Sequence, residues 1–206
     1  MSVRFVPSKW PFGSLRQWHW ISSAVCLIGM LLFAVTGITL NHADIIPASV
    51  STEEIQATLP QALLDRIEIP EKEKSPLPEP LRHWLSENLS LHIPASVRAE
   101  WIDDEVYVPL PRPGGDAWMS LDIVSGELLY EKTTRGWIAY LNDLHKGRDT
   151  GTAWRWFIDV FAIGCLVFCV SGLLLLYRHA RHRPSTWPMV GLGLVIPLLL
   201  IIVFIH

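Results

Sequence analysis

The sequence predicts an α-helical integral membrane protein with about three spans and one small α+β domain between the first two spans. Half of the 206 residues are hydrophobic, yet 18% are charged, and the two classes occupy different stretches of the chain. A helix needs roughly 20 mostly apolar residues to cross the hydrocarbon core. Residues 21–40 and 187–205 carry no charge, and residues 156–177 carry only Asp159. These three stretches are the predicted spans, and the polar residues between the first two form the predicted soluble domain.

The apolar runs and the turn residues divide the chain into seven predicted segments. The first apolar run exceeds the roughly 7–15 residues of a signal-peptide core, so we interpret it as a retained anchor. The segments are 1–20, an N-terminal cytoplasmic segment; 21–42, the first span; 43–136, the extracytoplasmic domain; 137–153, an interfacial helix and loop; 154–178, the second span; 179–186, a cytoplasmic loop; and 187–206, the third span.

Basic residues near the ends of the spans predict the orientation. Lysine and arginine close to a span favour the cytoplasmic side. Such residues precede the first span and fill the link between the second and third: Arg4, Lys9, Arg16, Arg178, Arg181 and Arg183. Lys146, Arg148 and Arg155 argue the other way, but a long loop weighs little in this rule. We therefore expect the N-terminus in the cytoplasm and the soluble domain outside.

The soluble domain reads as a helix followed by two hairpins. A helix is predicted to start at residues 51–54, where hydroxyl residues precede two glutamates. The proline-rich residues 70–80 predict a loop. Residues 79–91 predict a helix with Leu81, Trp84, Leu85 and Leu89 on one face. Alternating segments then predict strands at 97–101, 105–110, 117–123 and 127–130.

This order of elements, ending in the turn at residues 121–128, resembles the PepSY domain. Residues 137–146 predict a short amphipathic helix at the membrane surface, with Trp137, Leu141, Leu144 and His145 as candidates for one stripe.

Neither the cysteines nor the basic residues indicate another class of site. Cys26, Cys165 and Cys169 all lie inside apolar runs, so the soluble domain has no disulfide framework. We interpret all three as small residues packed in lipid. The basic residues are dispersed or flank the spans, and no strip of them is typical of a nucleic-acid interface.

The first two spans contain a short internal repeat. Residues 28–37 align without gaps to residues 163–172, matching both glycines, the phenylalanine, the last valine and a threonine to a serine. In the predicted topology the two helices run in opposite directions, as in inverted repeats. The glycines would allow close approach of helices or of a flat ligand, and simple helix packing is an equally good explanation.

Four histidines flank these two spans. In the predicted orientation His19 and His179 share the inner side, whereas His42 and His145 share the outer side. A histidine at the end of a span is well tolerated at the interface. Two pairs drawn from two antiparallel helices, however, have the pattern needed for bis-imidazole ligation of haem iron between apolar walls. We call His19 and His179 the inner pair, and His42 and His145 the outer pair. His182 competes with His179 at the inner site, and we expect the outer pair to be the better defined.

The arrangement of these motifs resembles the PepSY-associated transmembrane helix family. The likeness lies in residues 16–20 around His19, in Thr36 and Gly37, in residues 143–147 around His145, and in Ser171 and Gly172 followed by basic residues. Members of that family include bacterial inner-membrane reductases that bear haem b and act on ferric siderophores outside the cytoplasm. Larger members have more spans, and a homodimer could supply the missing helices here.

The resemblance implies one or two haem b groups per chain, held by His19, His42, His145 and His179. These would carry electrons from the cytoplasmic or quinol side to an extracytoplasmic acceptor such as a ferric siderophore or other ferric chelate. No Gly-x-Gly-x-x-Gly fingerprint is present, so the donor would be another protein or quinol. The alternative is a non-enzymatic membrane-anchored PepSY protein, for example one that restrains a protease.

Overall fold

The computed structural model describes residues 13–205, except for the side chain of His182. Arg4, Lys9 and His206 therefore lie outside the described residues. The chain divides into two compact units. One comprises the residues up to Leu32 together with those from Trp156 onward, and the other is Phe33–Arg155.

Three helices are long and apolar enough to cross a membrane, as the sequence predicts. They are α1 (Leu15–Asn41), α5 (Gly151–His179) and α6 (Thr186–Phe204), and a single 3-10 turn, Ala180–His182, follows α5. Helix α1 begins before the predicted span, which places His19 in its second turn rather than ahead of it. Helix α5 likewise continues through His179. Most of the apolar side chains on these helices are exposed, as expected of surfaces that lipid covers.

The unit Phe33–Arg155 is built on a six-stranded antiparallel sheet. The strands are β1 (Ser51–Thr58), β2 (Lys74–Ser75), β3 (Ala99–Ile102), β4 (Glu105–Pro109), β5 (Gly115–Asp122) and β6 (Glu127–Thr134). Their spatial order is β1-β6-β5-β4-β3-β2. The unit also contains α2 (Gln61–Leu64), α3 (Glu79–Leu89) and α4 (Trp137–Lys146).

One face of the sheet forms the hydrophobic core with α2 and α3. Strands β4, β5 and β6 alternate between buried and more exposed residues, so a single face supplies Val106, Met119 and Leu128 to the core. Leu81 and Leu85 of α3 are fully buried against them. The predicted face of α3 is confirmed, and Trp84 and Leu89 pack at its margin.

The prediction of a helix at residues 51–54 is wrong, because these residues open strand β1. Ser51–Thr58 pairs with β6 over its whole length, from Ser51 opposite Thr134 to Thr58 opposite Glu127. The hydroxyl and glutamate residues that suggested a helix cap lie on an exposed edge strand instead. Backbone pairing with a strand about 75 residues away along the chain outweighs the local capping signal, because intrinsic propensity is a weak prior. A one-turn helix, α2, follows at Gln61–Leu64.

The proline-rich loop also contains a strand. Residues 74 and 75 form β2, which pairs with β3 at the far edge of the sheet. The predicted order of one helix and two hairpins therefore becomes a strand, a helical turn, a short strand, a helix and four strands. The two predicted hairpins, β3–β4 and β5–β6, and the helix at 137–146 are confirmed.

Candidate functional site

The ring of His19 is held by three residues of α5. Its Nδ1 lies 3.0 Å from Oγ of Ser171. The ring stacks on Phe168 with centroids 4.8 Å apart and planes 14° apart. Gly172 completes the contact, because a Cβ built on it would lie 3.2 Å from Cε1 of His19. A hydroxyl, an aromatic face and a missing side chain together fix where this imidazole sits.

The inner pair lines one open cavity of about 410 Å³. Its walls are His19, Gly172, Leu175, Leu176 and His179. The four α5 residues fall on one side of that helix at about 100° per residue, which is why they meet His19 together. Nδ1 of His179 lies 2.8 Å from the carbonyl oxygen of Leu175, one turn earlier. The structure therefore brings together the two histidines of the predicted inner site, and the side chain of its competitor His182 lies outside the described part.

His145 has surroundings of the same chemistry in the other unit. Its Nδ1 lies 2.6 Å from Oγ1 of Thr36. Its ring contacts Phe33 with centroids 4.7 Å apart and planes 46° apart. Cε1 lies 3.8 Å from the position of a Cβ on Gly37. One turn further along, Thr39 donates a hydrogen bond of 2.6 Å to the buried amide oxygen of Asn142.

The two sets of contacts come from the aligned positions of the internal repeat. Phe33 aligns with Phe168, Thr36 with Ser171, and Gly37 with Gly172. Each set of three contacts a histidine that precedes a span, His145 in the first case and His19 in the second. We call the pattern Phe-x-x-Thr/Ser-Gly the histidine cradle. The repeat therefore positions two histidines, in addition to the close approach of helices or of a flat ligand that its glycines predict.

His42 is held differently from the other member of the outer pair. Its Nδ1 lies 2.9 Å from the carbonyl oxygen of Ile38. Ile38 and Thr36 are separated by about 200° around α1 at 3.6 residues per turn. The groups that hold the rings of His42 and His145 therefore lie on different faces of α1, whereas His19 and His179 line one cavity.

The hydrogen bonds assign a tautomer to His19 and His145. The Ser171 hydroxyl also lies 3.0 Å from the carbonyl oxygen of Phe168, and the Thr36 hydroxyl 3.1 Å from that of Phe33. A hydroxyl has one proton and a carbonyl only accepts, so both contacts are satisfied together when the imidazole Nδ1–H donates to the hydroxyl. In His42 and His179 the Nδ1–H donates to a carbonyl directly. In all four rings Nε2 is then the nitrogen with an available lone pair.

Two imidazoles that line one cavity are the donors that a planar metal-bearing ring would need on its two faces. Among the described residues, no group of three or more His, Cys, Asp or Glu could hold a metal ion. Ligating histidines usually donate their other N–H to an oxygen acceptor, which fixes the tautomer and the ring orientation. Nδ1 of His83 also lies 3.2 Å from an oxygen, that of the Glu87 carboxylate, but this histidine lies on the exposed surface of α3.

Comparison with known proteins places the chain at the level of a family. A family model described as PepSY_TM-like matches residues 10–206, which is nearly the whole chain. Among curated proteins and among solved structures, no significant match was found.

Proposed function

Since the chain belongs to the PepSY_TM-like family, we propose that it is a membrane electron-transfer protein that binds haem b between His19 and His179. The observation that carries this proposal is the cavity that these two histidines share, with Nδ1 of each bonded to an oxygen and Nε2 available. Haem b, when bound, would supply one-electron chemistry.

The residues around the cavity have separate roles in this proposal. Ser171 fixes the tautomer of His19, and Phe168 restricts rotation of its ring. Gly172 leaves the space beside Cε1 open. Leu175 and Leu176 give the cavity an apolar wall, and a shell of low polarity influences the redox potential of a bound metal.

The cradle around His145 supports a second ligand position. His42 would have to leave the Ile38 carbonyl and turn to another face of α1 to share a haem with it. The proposal for one haem per chain therefore rests on the inner pair, and a second haem at the outer pair is its extension. Transfer from a cytoplasmic or quinol donor to an extracytoplasmic acceptor such as a ferric chelate completes the proposal and derives from the sequence resemblance.

The test is haem content and spectrum of the full chain, purified in mild detergent after expression with ample haem. We expect a pyridine haemochrome signal and a low-spin reduced-minus-oxidised spectrum typical of bis-histidine haem b. His19→Ala and His179→Ala should lose the haem or make it high-spin. His83→Ala, a surface histidine, is the matched control and should keep it. A wild-type chain that binds no haem would contradict the proposal. So would an unchanged haem content and spectrum in both His19→Ala and His179→Ala.

A further inference from the structure

The sheet has a second face, which the core does not use and which α2 and α3 do not cover. On strands β4, β5 and β6 the residues of this face alternate with the buried ones, and on β1 they alternate with the partly buried Ile55 and Ala57. Antiparallel register places them in rows across the sheet. We call this surface the open sheet face.

Two rows of the open sheet face are acidic. Glu105 of β4 lies directly opposite Asp122 of β5, and Glu127 follows at the start of β6. Four residues further along the strands, Glu131 of β6 lies opposite Glu54 of β1. Like charges directly opposite each other destabilise a sheet. The open sheet face has two such pairs. Asp122 is also held by the backbone N–H groups of the adjoining turn, so Glu54 opposite Glu131 is the pair whose repulsion costs stability.

The described residues of the open sheet face include no basic residue that could offset these carboxylates. Among the outward-facing residues of the four strands, none is lysine, arginine or histidine. The ion pairs of the described chain involve other acidic residues, such as Glu53 with Lys132 and Glu100 with Lys74. Ser120 donates a hydrogen bond of 2.6 Å to Glu105, which leaves the negative charge in place.

Apolar and aromatic side chains lie between the two acidic rows and within the second. Tyr107 and Leu129 occupy the row between them, on either side of Ser120. Trp118 lies beside Glu131, and its ring is 6.1 Å from that of Tyr107. An open cleft of about 570 Å³ runs from Glu105, Asp122 and Glu127 to Leu129 and Gln56. An apolar aromatic centre with a charged rim is the usual anatomy of a protein interface.

The spacing of the rows defines the chemistry of the occupant. From Asp122 to Trp118 is four residues, or about 13 Å at roughly 3.3 Å per residue. An extended segment lying along the strands would place side chains i and i+4 over the two acidic rows, and side chain i+2 over Tyr107 and Leu129. We propose that the open sheet face is a docking site for an extended segment of a partner protein with the pattern basic-x-apolar-x-basic.

Trp118 adds a specific contact for such a segment. Arginine stacks on tryptophan and tyrosine faces and pairs with carboxylates at the same time. Trp118 and Glu131 lie directly opposite each other, so one arginine at i+4 can engage both. A purely electrostatic surface would not require the aromatic residue, and this difference makes the proposal testable.

The test uses the full chain in nanodiscs of phosphatidylcholine, so that the lipid carries no net charge. The probe is a fluorescein-labelled peptide with the core Arg-Thr-Leu-Thr-Arg, and the comparison peptide has the same composition as Arg-Arg-Leu-Thr-Thr. Because exposed ion pairs are individually weak, we expect the spaced peptide to bind only about fivefold more tightly by fluorescence anisotropy. Equal binding of the two peptides would overturn the proposed register.

Matched variants distinguish the effect of the open sheet face on peptide binding from the effect of net charge. Glu105→Gln combined with Glu131→Gln should abolish the preference for the spaced peptide. Glu71→Gln combined with Glu87→Gln makes the same change in net charge on other exposed residues and should preserve it. Trp118→Ala leaves the net charge unchanged and should also weaken binding of the spaced peptide. Equal effects of the two double variants, or none of Trp118→Ala in a chain that keeps its β-sheet circular dichroism, would contradict the proposal.

Discussion

At the scale of single residues, each histidine cradle orients its imidazole with two side chains and one glycine. The hydroxyls of Ser171 and Thr36 each donate a hydrogen bond to the carbonyl oxygen three residues earlier. Each hydroxyl oxygen accepts a hydrogen bond from an imidazole Nδ1–H. Phe168 and Phe33 provide a ring surface, and the glycine that follows the hydroxyl leaves room for the imidazole. The orientation of each histidine is therefore set by residues of another helix.

Ser171→Ala tests the hydroxyl of the cradle. The variant removes the acceptor of the His19 Nδ1–H, so we expect haem affinity to fall by about 10- to 100-fold, as for other partners that orient a ligating histidine. Haem titration and the electron paramagnetic resonance of the low-spin signal measure it. Ser22→Ala is the control, because Ser22 donates to the backbone carbonyls of Trp18 and His19 and not to the imidazole ring. Ser171→Thr should restore binding, and equal behaviour of the two alanine variants would contradict this role.

Gly172→Ala tests the missing side chain. The new Cβ would lie 3.2 Å from Cε1 of His19, so the ring must shift or the cavity must narrow. We expect less bound haem and a larger high-spin fraction in the absorption spectrum. Gly191→Ala in α6 makes the same substitution where nothing lies within 4 Å of the Cβ, and it should leave both unchanged. A normal spectrum in Gly172→Ala would show that the cavity tolerates the methyl group.

At the scale of elements, helix α4 connects His145 to the sheet domain. Oδ2 of Asp143 accepts a hydrogen bond of 2.8 Å from the backbone N–H of Gly114, in the turn between β4 and β5. Trp154 donates a hydrogen bond of 2.8 Å to the carbonyl oxygen of Leu144. The helix ends at Gly147 in the left-handed conformation. Both contacts are made by the two α4 residues directly before His145, so the docking of α4 determines the position of this histidine.

Gly114→Ala tests the docking of α4. Gly114 has φ +74°, and a Cβ there would lie 2.7 Å from the backbone Cα of Tyr140. Gly151→Ala is a matched control, because Gly151 has φ +76° but nothing within 4 Å. The positive φ costs each variant about 1–2 kcal/mol, and only Gly114→Ala adds a clash with backbone. We expect Gly114→Ala to lower the melting temperature more than Gly151→Ala does, and to speed proteolysis near residue 137. Equal losses of thermal stability in the two variants would contradict a close contact between Gly114 and Tyr140.

The turn between β5 and β6 makes the stability of the β5–β6 hairpin sensitive to acid. Oδ1 of Asp122 accepts hydrogen bonds from the backbone N–H of Ser125 at 2.8 Å and of Val124 at 2.9 Å. The bond from Ser125, with a smaller effect of Val124, holds the pKa of the Asp122 carboxyl below its usual value. A depressed pKa stabilises the folded state above the unfolded value, about 3.9, and the stabilisation is lost as pH falls through the folded pKa.

Asp122→Ala tests this turn through the pH dependence of thermal unfolding. We expect the variant to melt below the wild type at pH 7 and the difference to shrink as the pH falls below about 4. Glu71→Ala, another exposed carboxyl in this domain, should show no such convergence. A difference between wild type and Asp122→Ala that stays constant from pH 7 to pH 3 would contradict the role of the carboxylate.

At the scale of the whole molecule, the three long helices differ in length. At 1.5 Å per residue, α1 and α5 are about 40 Å and 43 Å long, whereas α6 is about 28 Å. The hydrocarbon core is about 30 Å thick. Helices α1 and α5 therefore extend beyond it, so that His19 and His179 occupy helical positions near the ends of these helices rather than flanking loops. The basic residues beside these ends predict the orientation.

Cysteine labelling tests that orientation. The native cysteines lie within α1 and α5. We expect Ser125→Cys, in the soluble domain, to react with a membrane-impermeant maleimide on spheroplasts. Ser185→Cys, in the link before α6, should react only after permeabilisation, and the unsubstituted chain should stay unlabelled. The reverse pattern would place the N-terminus outside and would contradict the interpretation of the basic residues.

The sequence by itself determined the features whose signal is local. Long apolar runs specify the spans, because lipid excludes unsatisfied backbone and only a helix of that length satisfies it. Alternation and turn residues specify the two hairpins, and a 3.6-residue period specifies α3 and α4. The candidate histidines were also visible, because few residue types can ligate haem iron.

The tertiary structure decided what depends on partners distant in the chain. Residues 51–58 have the composition of a helix start and become a strand only because β6 offers them a backbone edge. Ser171 looks like any small residue of an apolar helix until His19 is placed 3.0 Å from it. The preference for the outer pair stays a prediction from the sequence, and the cavity shared by the inner pair is a feature that only the structure shows. Which face of a helix a histidine occupies depends on packing against another helix, and no local pattern records that choice.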